Sequence, residues 1–137
     1  MRIFRLLELK KVFQLDFFGA VLSSISLAVI LPFWQPFFGI PLAVLRLLAC
    51  CAIFLSVFDL TCIFLLKKEA HIQYAVSTII GLNAVYLLLS IIEIIMHWDL
   101  ITLWGRAYLF LEIVVLIGLI YFERKTLNNF RTLSLSK

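Results

Sequence analysis

Charge is scarce in this chain. Asp, Glu, Lys and Arg supply 15% of its 137 residues, 64% are hydrophobic, and the mean hydropathy is +1.13. A soluble domain is about half apolar and about a quarter charged. The balance therefore excludes an ordinary soluble domain and points to an integral membrane protein, of a length that makes one domain. Cysteine is equally sparse. Cys50, Cys51 and Cys62 lie in one apolar run, and no CxxC occurs. Neighbouring helical residues point about 100° apart, so Cys50 and Cys51 do not readily bridge. They read as small packing residues, which weakens a disulfide oxidoreductase. There are two histidines, His71 and His97, and no HExxH or paired-His pattern, so no metal site is implied. A GxSxG elbow and a P-loop are also missing. No cofactor is implied and no catalytic residue is assigned.

What remains is long apolar sequence. An apolar helix needs about 20 residues to cross a bilayer, and four runs meet that length: 13–33, 40–66, 72–96 and 100–122, followed by a tail over 123–137. They are continuous rather than alternating, which excludes a β-barrel. The expected fold is all-α, a polytopic bundle of four transmembrane helices. Basic residues segregate completely among the flanks. Arg2, Arg5, Lys10 and Lys11 precede the first run, Lys67 and Lys68 separate the second and third, and Arg124, Lys125, Arg131 and Lys137 follow the fourth. The other two connections have neither Lys nor Arg. This bias predicts both termini in the cytoplasm, most simply across a bacterial inner (plasma) membrane. It also accounts for the net charge of +4. Nucleic acid is not an expected partner, because no separate basic domain exists.

The first run is too long for a cleaved signal peptide. Residues 2–11 fit two arrangements, a short interfacial helix or a plain extension of the first span. All three prolines fall in LPFWQPFFGIP, where Pro32, Pro36 and Pro41 predict an aromatic loop at the interface. Trp34, Trp98 and Trp104 mark that boundary. The short links KKEAH and HWDL make tight antiparallel hairpins. Arg46 and Arg106 hint at a duplicated hairpin, but their neighbours do not match.

Several polar residues interrupt the apolar runs. At about 1.5 Å per residue, Arg46 lies about 8 Å and Glu93 about 6 Å inside the outer edge, with Arg106 at a similar depth. In the third span, Asn83, Tyr86, Ser90, Glu93 and His97 share one helical stripe. Lipid offers such groups no hydrogen bonds, so the stripe is expected to face the bundle interior. Arg106 is placed to reach Glu93 and points away from Glu112. Glu112 sits near mid-bilayer, with Asn83, Tyr86 or an arginine to hold it. Gly19, Ala20 and Ser23 near Asp16 form a small-residue seam. Asp16 and Asp59 read as structural carboxylates of the inner half, Asp59 within reach of Lys67 or Lys68.

These positions define the candidate ligand-binding set Arg46, Asn83, Tyr86, Ser90, Glu93, His97, Arg106 and Glu112. Arginine suits bidentate contact with a carboxylate or phosphate, so the leading expectation is a polar pocket in the outer half that binds a small anionic or lipid-like ligand. Two alternatives compete with it. One is a structural or transport subunit, in a homo-oligomer or a hetero-complex, whose intramembrane charges are paired internally. The other is an acid/base enzyme, isomerase- or hydratase-like, using Glu93 with His97 or Glu112 on a lipid-soluble substrate. Membrane lipids are partners in every case.

Overall fold

The computed structural model describes the backbone of residues 2–135 and the side chains of 7–68 and 70–132. Helix α1, Arg2–Ile25, passes through a π-helical turn, Ser26–Ile30, into the short α2, Leu31–Phe33. Proline 32 explains the wide turn. It has no N–H to give the carbonyl four residues earlier, and the Leu31 N–H reaches back five residues to Ser26 O. The chain bends at Trp34, forms α3, Gln35–Phe38, and stops at Gly39, whose φ of 65° ends the turn in the left-handed region. Pro41 is extended and leads into α4, Leu42–Leu65. Helix α5, Glu69–Met96, and helix α6, Leu103–Leu135, complete the chain. The aromatic loop expected over LPFWQPFFGIP is therefore mostly short helices. Pro36 sits in the opening turn of α3, where a missing N–H breaks no bond.

Among the described residues, four helices are long and apolar enough to cross a membrane, over Leu7–Phe33, Leu42–Leu65, Ala70–Met96 and Leu103–Thr132. This is the build of a multi-pass membrane protein, and the described residues are all helix or connection. Helix α1 begins before, and helix α6 ends after, the apolar runs that they contain. Lys11, Arg124 and Lys125 are exposed, but the opposite faces stay in the bundle. Leu9, Val12 and Phe13 are buried on α1, and Leu127 and Phe130 on α6. Charge on one face hides a continuing core face from a run-length reading. Residues 2–11 thus belong to α1, and residues 123–135 continue α6; the last two residues of the expected tail lie outside the described residues.

Helix α1 packs chiefly on α4, and α5 on α6. Contacts of α1 with α6 and of α4 with α5 close the ring, and α1 also touches α5 across it. At the end that carries the termini, Lys10 Nζ donates to Ile63 O at 3.1 Å and caps α4. At the far end, α3 is clamped to α6. Thr102 N–H donates to Phe38 O at 3.1 Å, and Thr102 Oγ1 donates to Phe38 O at 2.9 Å and to Phe37 O at 2.8 Å. Phe37 stacks on Trp104 with centroids 5.7 Å apart. Gly105 permits this approach, because a Cβ there would run into the Phe38 carbonyl. Large apolar side chains such as Phe18, Leu22, Phe54, Val85, Ile95 and Phe110 stand exposed on the outside of the bundle. Such a surface suits acyl chains and not water.

Candidate functional site

The stripe on α5 faces inward over Asn83, Tyr86 and Ser90, all of them buried. Beyond Ser90 it turns local. Glu93 and His97 are partly exposed and pair with each other, His97 Nδ1 to Glu93 Oε2 at 3.2 Å. Ser90 is satisfied by its own helix, donating to Tyr86 O at 3.0 Å.

The predicted meeting of Arg46, Glu93 and Arg106 does not occur. The Arg106 guanidinium donates to Trp98 O at 2.7 Å and lies 4.0 Å from the centre of the Trp98 ring. Arg46 is exposed on α4 and has no hydrogen-bond or ion-pair partner among the described residues. Equal depth is not equal direction. The buried face of α4 runs through Leu45, Leu48, Ala52, Leu55 and Asp59, and Arg46 lies about 100° away from it. The sequence-based pairing of Glu93 with Arg106 is replaced by two local contacts within the hairpin, each shorter in chain distance and free of reach across helices.

The polar core lies deeper, and each long helix contributes to it. Asn83 on α5 uses one amide nitrogen twice. Nδ2 donates to Asp16 Oδ1 on α1 at 3.0 Å and to Glu123 Oε1 on α6 at 3.1 Å. Asp59 on α4 stands beside Asp16, near enough to interact with its charge and with that of Glu123. Exposure of the quartet is 2% for Asp16, 0% for Asp59, 1% for Asn83 and 1% for Glu123. Asp16 Oδ2, Glu123 Oε2 and both Asp59 oxygens are buried without a hydrogen-bond partner. Asp59 is not approached by Lys67 or Lys68, which are exposed. Asp16 belongs to the core and not to the interface. Among the described residues, no three acid, His or Cys side chains stand close enough to hold a metal ion.

Further along the bundle, Tyr86 Oη donates to Glu112 Oε1 at 2.8 Å. Glu112 is 8% exposed, and its Oε2 has no partner. Of the groups expected to hold Glu112, Tyr86 does so. Arg106 and Glu112 point apart, as their helical separation requires.

A cavity of about 160 Å³ joins these two polar groups. Asp16 and Asn83 border it towards the termini, and Glu112, Tyr86 and Tyr108 towards the far end. Ser23 and Ser26 line the α1 side, and Gly19 and Ala20 leave the room. The seam of small residues on α1 therefore borders a space in addition to any packing role. The walls are apolar: Leu55 and Leu116 are buried, and Leu22, Leu111 and Val115 are exposed on the outer face, where the space opens between α1 and α6. Among the described residues, no Lys, Arg or His lines the cavity. Of the sequence-predicted set, Asn83, Tyr86 and Glu112 line it, and Arg46, Ser90, Glu93, His97 and Arg106 do not.

Glu123, Asp16 and Asp59 were absent from the predicted set. Glu123 had one legible signal. It falls on the helical face shared by Leu116, Leu127 and Phe130, all buried. Comparison of the chain with known protein families, with characterised proteins and with solved structures finds no match.

Proposed function

We propose that this protein is a small-ligand-binding protein of the bacterial inner membrane, with both termini cytoplasmic, and that its ligand occupies the chamber between α1, α4, α5 and α6. The carrying observation is a cavity bordered by carboxyl groups from two helices, Asp16 and Glu112, each with one buried oxygen left unpartnered. Bundles place their ligand sites between helices in this way. Intramembrane ionisable groups that face such a space mark a functional site. The segregated Lys and Arg residues support the orientation. An anionic occupant has no support from the chamber, because the two guanidiniums that would hold it are turned elsewhere.

The test is mass spectrometry of small molecules retained by gently purified protein, set against Ala20→Leu, which fills the chamber. Ala20 is 8% exposed and lines the space. Wild type is expected to carry a species that Ala20→Leu loses while still eluting as a monodisperse helical protein. Equal retention by the two proteins removes the chamber from the account.

A second reading, a subunit of a membrane complex, is favoured by Arg46 alone. A guanidinium on an outward face of an apolar helix, with no partner among the described residues, fits a partner chain or a lipid headgroup. Disulfide trapping of Arg46→Cys in membranes distinguishes the two. A specific cross-linked species shows a partner chain. The Glu93–His97 pair suits proton transfer in its spacing, but it lies outside the chamber.

A further inference from the structure

We infer that the chamber fills sideways from the bilayer, through a slot between α1 and α6, with an uncharged molecule whose head bears a hydroxyl, an alcohol or phenol, and whose apolar tail stays in the lipid. The inference rests on the chamber reading and specifies its ligand and its route. The slot is shut at one end and open at the other. A Cβ at Gly19 would stand 3.4 Å from Leu119 Cδ1, so α1 and α6 touch there. Towards the far end the space is lined by Leu22 on α1 and by Leu111 and Val115 on α6, all three exposed on the outer face. Side chains so exposed leave the space open to whatever surrounds the bundle, and around these apolar helices that is acyl chain.

The polar lining sets the head. Ser23 and Ser26 on α1 and Tyr108 on α6 are half-buried and line the chamber. Ser24, Ser56 and Ser90 donate to carbonyls of their own helices at 2.8, 2.8 and 3.0 Å, which satisfies a hydroxyl among apolar chains. The hydroxyls of Ser23, Ser26 and Tyr108 make no such bond among the described residues. They look across the slot instead. Ser23 stands near enough to interact with Glu112, and Ser26 with Tyr108. Lipid offers these groups no hydrogen bonds. A hydroxyl has one donor and two lone pairs, and the carboxyl of Glu112 adds acceptors, so the lining accepts more bonds than it donates. A hydroxyl head donates to the surplus and accepts in turn, whereas a ketone, ester or ether only accepts and an ammonium only donates. Charged heads are disfavoured further, because the route runs through hydrocarbon. Size sets the rest. The chamber holds about 160 Å³, close to the roughly 150 Å³ cavity that admits benzene. A head as large as one aromatic ring fits, and a longer body leaves through the slot.

The experiment uses the full chain in lipid nanodiscs and a 4-alkylphenol that carries a photoreactive diazirine in its tail. Labelling is expected to saturate, to mark the slot at Leu22, Leu111 or Val115, and to be lost in Ala20→Leu. Unlabelled 4-octylphenol should compete about threefold to tenfold better than its methyl ether, 4-octylanisole, the worth of one hydrogen bond. Tyr108→Phe should shrink that preference while labelling persists, and Ser26→Ala serves as an independent second variant. Equal competition by phenol and ether, with labelling lost in Ala20→Leu, overturns the hydroxyl head and leaves the chamber standing. A preference untouched by both Tyr108→Phe and Ser26→Ala, or stronger competition by 4-octylbenzoate, overturns it as well. Labelling of folded protein that does not saturate, or that persists in Ala20→Leu, overturns the lateral route. A co-purifying species lost from Ala20→Leu would in that case still uphold the chamber itself.

Discussion

Asn83→Leu offers the sharpest probe of the bundle. Leucine keeps the branched outline of asparagine without its polar atoms, although its two methyls are bulkier than the amide atoms, so any overpacking adds to the loss of hydrogen bonding. Two bonds are lost, of 3.0 Å to Asp16 on α1 and 3.1 Å to Glu123 on α6, while the Tyr86–Glu112 bond between α5 and α6 remains. In a soluble core, orphaning each acceptor costs about 1–3 kcal/mol. Within a membrane, hydrogen bonds between helices average about 0.6 kcal/mol and reach about 1.7 kcal/mol, because the separated helices find other partners in the bilayer. The lower scale governs here, and the two bonds together make the expected loss about 1–3 kcal/mol. Asn83→Asp should lose at least as much. It removes both donors and sets a fourth acid among Asp16, Asp59 and Glu123. Ser77→Ala, at an exposed position of α5, should stay within about 0.5 kcal/mol of wild type. Reversible unfolding in bicelles, read by steric trapping, measures all three. Stability of Asn83→Leu equal to that of Ser77→Ala would refute the view that this amide ties the core together.

Two further tests address the clamp and the topology. Gly105→Ala drives a Cβ into the Phe38 carbonyl and should cost about 1–3 kcal/mol by overpacking. Gly118→Ala, with nothing within 4 Å of its Cβ, should be near neutral or slightly stabilising in the same assay. Equal effects at the two glycines would mean that the clamp contributes nothing. For orientation, the native cysteines are replaced by Ala and single cysteines placed at Lys68 or Asp99. In right-side-out vesicles an impermeant thiol reagent should label Asp99→Cys at once and Lys68→Cys only after permeabilisation. The opposite pattern inverts the proposed topology.

Part of the site was legible in the residues. The α5 stripe at Asn83, Tyr86 and Ser90 faces inward because polar groups at helical spacing cannot share a side with lipid. Tyr86 was among the partners expected for Glu112 and is the one found. The arginine cluster was not legible. Counting residues from a span's edge measures depth and says nothing about direction, and Arg46 lies on the wrong side of α4. Glu123 was missed for a related reason. Exposed Arg124 and Lys125 beside it ended the apolar run, although its own face of α6 remained in the core.

Hydropathy and length by themselves determined four helices, their order and their hairpins, since a bilayer-length apolar run has one way to satisfy its backbone. The charge bias of the connections is likewise a property of the linear chain. Packing alone decided which polar groups meet. Asp16, Asp59, Asn83 and Glu123 come from four helices far apart in sequence. Their convergence depends on how each helix is rotated about its axis, a quantity set by the fit of side chains between neighbours.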